Sequence, residues 1–170
     1  MNAAKNILLS DHLRILYFSL IHPYLSYGNI LWGNSLKKYT NSLVIKQKRA
    51  IRTIANVTQN THSSQFFKQF NILKFHDLHY VQLMSFMYDF IHNNLPKSLE
   101  NTFEYHTESH VHNTRHKCDP VLPKLNCRLS RNSLLYECPN HWIKLNHDLK
   151  SSNNKRIFKH KLQHNIISLY

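Results

Sequence analysis

Two stretches decide how this chain folds: residues 13–33, LRILYFSLIHPYLSYGNILWG, and residues 43–55, LVIKQKRAIRTIA. In the first, Leu13, Leu16, Tyr17, Leu20 and Ile21 recur at the i, i+3, i+4, i+7, i+8 spacing of one helical face. Ile15 and Phe18 widen the apolar surface, which predicts a helix buried on more than one side. Ser10 and Asp11 are placed to cap it, with the helix starting near His12. Pro23 ends or kinks the run and suits the first turn of a second helix. Gly33-Asn34-Ser35 then reads as a turn.

The second stretch belongs to a helix expected over 36–55. At about 100° per residue, Leu43, Val44, Gln47, Ala50, Ile51, Ile54 and Ala55 share one half. Lys46, Lys48, Arg49 and Arg52 share the other, with Ile45 among them. Four cations on one helical face can straddle successive phosphates, and no acidic residue occurs between Asp11 and Asp77 to pair with them. Nothing in this face is built to read base edges, so the expected binding is sequence-tolerant.

Downstream, residues 58–64 are a polar connector. A short helix starts at Ser63 or Ser64 and carries Phe66, Phe67 and Phe70. A long helix is expected over 78–93, with Leu78, Val81, Leu83, Met84, Met87, Tyr88, Phe90 and Ile91 forming its core side and Asp77 favouring its N-terminus. Leu95-Pro96 stops it. From residue 97 apolar density falls and histidines rise, predicting a loop-rich section with short strands near Val121-Leu122 and Leu134–Tyr136. Trp142 reads as a packing anchor. Ser152, Asn153 or Asn154 caps a final helix over 155–170, with Ile157, Phe158, Leu162, Ile166 and Leu169 as its apolar stripe and a basic opposite side. The expected fold is mainly α: a helical domain over 10–96, and a loop-rich region over 97–170 that ends in a helix.

Composition agrees with this and excludes several function classes. The 170 residues include 42% apolar side chains, enough for a core, but only two glycines. Neither a GxGxxG nor a GxxxxGK[ST] loop is present. Twenty-two Lys and Arg oppose nine Asp and Glu, for a net charge of +13, so a polyanion is the expected partner. Three cysteines are too few and odd in number for a disulfide framework, and fit a reducing compartment. Residues 1–10 lack the apolar run of a secretory signal, and no segment approaches the ~20 apolar residues of a membrane span. The expected location is intracellular, nuclear or cytoplasmic, with no membrane partner. His112, His116, Cys118, Cys127, Cys138 and His141 supply zinc-ligand types, but their spacing fits no compact finger, and no metal site is expected.

The order of these segments resembles one family. Leu13, Leu16, Tyr17, Leu20, Ile21, Pro23, Leu25, Tyr27, Gly28, Trp32 and Gly33 are similar to the start of the thumb-like region in reverse transcriptases of non-LTR (LINE-type) retrotransposons, the jockey-like group in particular. Residues 43–52 resemble that family's Leu-Gln-x-Arg-x-x-Arg helix, and residues 67–78 a following Phe/Leu-rich segment. His112-Asn113-Thr114-Arg115 resembles its His-x-Thr-Arg element. Arg128 and Arg131, with Ser133, Tyr136, Pro139 and Trp142, resemble its next one, with Ile143 where asparagine is usual. Phe158, Lys159, Leu162 and Ile166 resemble its ending. The resemblance spans residues 13–169 or so.

It implies a thumb and post-thumb piece of an RNA-directed DNA polymerase that contacts the backbone of a template–primer duplex, whether RNA–DNA hybrid or DNA. Lys46, Lys48, Arg49, Arg52 and Arg115 would make those contacts, and Tyr27 and Trp32 are candidates to stack on a base or ribose. The parent family transfers nucleotides with two Mg²⁺ held by palm aspartates. This chain has no adjacent pair of acids, so no catalytic residue and no cofactor are assigned to it, and no polymerase activity is expected of it alone. A protein partner, the absent palm or another, is the alternative: a helical interaction module with no nucleic-acid role.

Overall fold

A computed structural model describes residues 3–105, 120–127 and 129–170. The chain is mainly helical. Among the described residues the sole extended pairing is an isolated antiparallel bridge between Tyr105 and Pro120. Two compact units form, one from Met1–Tyr80 with Leu162–Tyr170, the other from Val81–Lys161. The drop in apolar density at residue 97 thus falls inside the second unit.

In the first unit, α1 (Ser10–Leu16) runs through a π turn (Tyr17–Ile21) into α2 (His22–Ser26), where Pro23 occupies the first turn as its ring requires. Next come α3 (Asn29–Trp32), α4 (Lys37–Ile54), α5 (Ser64–Gln69) and α6 (Phe75–Ile91). Helix α1 starts at Ser10, not His12, and no side chain caps it. The expected two-sided burial is also corrected. Leu13 and Tyr17 are buried, whereas Ile15 is 63% exposed, Leu20 57% and Phe18 38%. The π turn inserts a wider winding after Leu16, so the 3.6-residue phase that put Leu20 beneath Leu13 is lost.

Helix ends follow one device. With glycine nearly absent, Asn56, Asn71 and Asn93 take the left-handed conformation after α4, α5 and α6, at φ of 54°, 55° and 55°. Each is followed by the long closing bond of a Schellman motif: Val57 N to Arg52 O (3.1 Å), Ile72 N to Phe67 O (2.9 Å) and Asn94 N to Asp89 O (2.8 Å). Asparagine does here what glycine does in most helix termini, its short polar side chain making the left-handed region accessible.

Gly33 is needed for close packing. A Cβ there would lie 1.8 Å from Asn29 Oδ1, 2.6 Å from Asn29 O and 2.5 Å from His79 Nδ1. The His79 Nδ1–H donates to Asn29 O (2.8 Å), so the ring cannot swing away without losing that bond. Gly33→Ala is expected to lower unfolding free energy by roughly 1–3 kcal/mol, the usual cost of overpacking, as read by urea denaturation. An unchanged midpoint would show that α3 moves aside freely.

The start of α6 and the chain end are joined within the first unit. The Tyr170 hydroxyl donates to Asp77 Oδ2 (2.5 Å) and accepts from Lys74 N (2.9 Å), with Lys74 Nζ 3.8 Å above its ring. Asp77 therefore bonds a phenol, rather than acting only as the helix-start charge expected of it.

The second unit is built on the later part of α6, with α7 (Leu134–Ile143), α8 (His147–Lys150) and the first part of α9 (Lys155–Ser168). Tyr88 stacks 4.8 Å from Phe158 and donates to Ser152 O (2.7 Å), and Trp142 packs 5.8 Å from Phe158 as the anchor expected of it. Asp89 pairs with Lys155. Asn154 Oδ1 accepts from Arg156 N (2.8 Å) and so caps α9. Two sequence expectations fail here. Residues 134–136 are helical, because Leu134, Cys138 and Trp142 recur every four residues and a helix sets all three on one side; Val121-Leu122 forms no strand. In α9, Phe158, Leu162 and Ile167 are buried while Ile157 and Leu169 are exposed. The helix passes from one unit to the other at Leu162, so its buried side is not a single stripe.

Cys138 is fully buried, and its thiol donates to Leu83 O at 3.6 Å. Burial, then the charge of Glu137, pushes its pKa from 9.0 up to about 12. The thiolate is the reactive form, so native Cys138 should resist iodoacetamide at pH 8 while exposed Cys127 is alkylated, as read by peptide mass mapping. Because the folded value exceeds the unfolded one, the stability Cys138 contributes is whole below pH 9 and is lost as pH rises from there toward 12. Alkylation of Cys138 at the rate of Cys127 would contradict the burial.

Candidate nucleic-acid interface

Helix α4 divides as its sequence demands. Gln47, Ala50, Ile51 and Ile54 are buried; Lys46, Lys48 and Arg49 are exposed and Arg52 is half-buried. The apolar side packs against α1 and α5, which fixes the direction of the basic side. Gln47 locks that orientation. Its Nε2 donates to the Tyr17 hydroxyl and to Leu73 O, and its Oε1 accepts from Phe75 N, each at 2.9 Å.

The chain leaving α4 makes a second wall. After the Schellman closure at Asn56, residues 58–61 form a turn closed by Thr61 N donating to Thr58 O (3.2 Å), with the two threonine hydroxyls 2.9 Å apart. Gln59 and Asn60 are its central residues, and both are exposed. The Arg52 Nε–H donates to Thr61 O (2.7 Å), tying the turn to the helix. Between helix and turn lies an open groove of about 580 Å³ lined by Ile45, Lys48, Arg49, Arg52, Gln59 and Asn60.

The field around it is one-signed. The first unit carries ten Lys and Arg against two acids, Asp11 and Asp77, a net +8 of the chain's +13. Among the described residues, no carboxylate forms an ion pair with Lys46, Lys48, Arg49 or Arg52. Uncompensated cations lining a concave surface focus the potential and draw in anions.

Of the residues expected at the site, Lys48, Arg49 and Arg52 come together in the groove, and Lys46 lies on the exposed face outside its lining. Arg115 lies outside the described residues. Tyr27 is 85% exposed, but Trp32 is half-buried, its Nε1–H donating to Tyr27 O (2.9 Å) and its ring 5.6 Å from Phe75. The indole is thus partly packed within the fold while Tyr27 stands free of such packing. Gln59 and Asn60 escaped the sequence reading, which saw only a polar connector; the flanking threonines and the preceding asparagine were the available turn signal.

Of the six zinc-ligand candidates, His112, His116 and Cys118 lie outside the described residues. Among the described residues no three His, Cys, Asp or Glu side chains gather as a metal site would need. No helix among them is long and apolar enough to cross a membrane. No protein-family model, no curated protein and no solved structure matches this chain.

Proposed function

We propose that this chain is a thumb-like and post-thumb portion of a jockey-like non-LTR retrotransposon reverse transcriptase, holding the phosphate backbone of a template–primer duplex and supplying no nucleotide-transfer chemistry of its own. The observation that carries the reading is the α4 groove: three cations, built into a concave wall, with no carboxylate among the described residues to neutralise them. Cations at one-turn spacing suit successive phosphates, and each phosphate neutralised releases counterions. The nine acids of the chain include no adjacent pair, so the paired carboxylates that hold catalytic Mg²⁺ in such polymerases would come from elsewhere.

The test is binding of a labelled RNA–DNA hybrid at about 50 and about 200 mM salt. Each phosphate contact contributes about −0.9 to the log–log slope with duplex DNA, so a slope of several is the expected result. Absence of binding at the lower salt would overturn the reading.

A second reading has its own observation. Leu20, Tyr24, Tyr27 and Leu31 are large apolar side chains between 57% and 85% exposed within a 12-residue stretch, the composition of a protein-docking surface. A chain that ignores the hybrid yet retains its fold would serve as a protein-interaction module.

A further inference from the structure

We propose that the apolar face running from α1 to α3 takes a second copy of this chain, pairing the two about a two-fold axis. This rests on the second reading above and names the partner for that surface. It involves none of the residues that line the α4 groove.

The face is set by the fold around it. Leu20, Tyr24 and Tyr27 follow one another at i, i+4 and i+7, and Tyr27 N still donates to Pro23 O (2.9 Å), so all three lie on one side of a single helical winding. Tyr17 and Leu25 take the other side and are buried. The π turn creates this division: an unbroken α-helix would carry Leu20 round beneath Leu13, and windings of this kind recur at functional sites. Ile15 precedes Leu20 across that wide turn, and α3 adds Leu31. The backbone under the face is pinned. The Arg14 Nε–H donates to Phe70 O (2.8 Å), the Tyr17 hydroxyl accepts from Gln47, and the Trp32 Nε1–H holds Tyr27 O where the chain bends through Gly28 at φ 60°. A surface held this way has little ordering left to undergo on docking.

Size and charge select the occupant. Ile15, Leu20, Tyr24, Tyr27 and Leu31 are each 57–85% exposed. With roughly 150–250 Å² per aromatic side chain, the five bare on the order of 700 Å². That exceeds the few hundred Å² a monomer usually shows and approaches the ~800 Å² each partner gives to a standard interface. Residues 15–36 hold no Lys, Arg, Asp or Glu, the longest uncharged run in a chain of net charge +13. A partner selected by that net charge would be acidic, and this run offers it no cation. Two copies of so basic a chain, by contrast, approach most easily through a surface without charge, where a two-fold contact sets no like charges opposite each other. The phenols suit the same symmetry, because a tyrosine hydroxyl both donates and accepts and can pair with its own counterpart.

Sedimentation velocity of the nuclease-treated chain should give twice the 20.3 kDa chain mass at about 100 µM, since interfaces of this size bind at micromolar or tighter. Raising the salt should preserve or strengthen the pairing, as it screens the +13 charge and leaves the apolar contact. The Tyr24→Glu/Tyr27→Glu and Tyr24→Lys/Tyr27→Lys variants, both at exposed positions, should keep the wild-type circular dichroism. Each alone should pair about a hundredfold more weakly or not at all, because like charges meet across the axis. Mixing the two should restore the double mass, because only the mixture sets opposite charges face to face. Wild type that stays monomeric, or variants that pair as wild type does, overturns the self-pairing. The second reading then still stands, since that one is decided by whether the hybrid binds. A mixture that stays monomeric shows that the contact is not two-fold and overturns the proposal as well.

Discussion

With Lys46, Lys48, Arg49 and Arg52 all replaced by Ala, the log–log salt slope for hybrid binding should fall by about three to four, following the counterion release of four phosphate contacts. Over a change from about 50 to about 200 mM salt, that corresponds to roughly a hundredfold in affinity that wild type loses and the variant no longer has to lose. The expectation follows from how α4 is built. Its cations need not leave a carboxylate to meet a phosphate, because none of the four forms an ion pair among the described residues. A basic face already neutralised by local carboxylates would gain far less. Arg52 complicates the variant, since its loss also frees Thr61 O and loosens the turn. A Lys46/Lys48/Arg49→Ala variant, confined to exposed positions, keeps that bond and should still lose about three-quarters of the slope change. If either variant keeps the wild-type slope, the basic side of α4 is a solvated surface and the duplex, if bound, sits elsewhere.

The two faces of α4 were legible because opposite chemistries recur there with one helical period. The same contrast placed Gln47 on the buried half, although only the structure shows what it binds. Helix α1 misled for a physical reason: its residues obey the helical period in sequence, but the π turn at Tyr17–Ile21 breaks that period in space and turns Leu20 outward. Leu134-Leu135-Tyr136 resembled a strand because three residues cannot distinguish a period of 2 from one of 3.6; only the recurrence through Cys138 to Trp142 does. Within the candidate site, cations declare themselves in a sequence by charge. Gln59 and Asn60 do not, since amides are the ordinary composition of a surface turn. Their place beside the helix arises from a left-handed asparagine and an arginine–carbonyl bond, which tie the turn to α4. Trp32 shows the converse: its type alone does not tell that its ring packs against Phe75 while staying half-exposed.

Gln47→Ala should be the most destabilising single substitution outside the large apolar core, lowering unfolding free energy by about 3–5 kcal/mol against a typical total of 5–15. Gln47 is 1% exposed, and its amide joins three separate parts of the first unit: the π turn through the Tyr17 hydroxyl, the loop before α6 through Leu73 O, and the first residue of α6 through Phe75 N. Tyr17 and Phe75 are themselves buried to within 1%, so water cannot easily replace the lost amide. A carbonyl, an amide N–H and a hydroxyl would each be left without that partner in the interior, at roughly 1–3 kcal/mol apiece before relaxation. Gln47→Glu separates this from a simple loss of volume. Its size is preserved, and one oxygen can still accept from Phe75 N, but a carboxylate has no hydrogen to give Leu73 O. When protonated it regains one donor. Burial favours that neutral form and raises the folded pKa above the unfolded value near 4.3. The variant should therefore lie closest to wild type at acidic pH and fall progressively below it as pH rises past the carboxyl range. Urea denaturation at pH 4 and pH 7 reads both effects. A Gln47→Ala protein within about 1 kcal/mol of wild type, or a Gln47→Glu deficit that does not grow with pH, would mean that α4 is oriented by its apolar contacts alone.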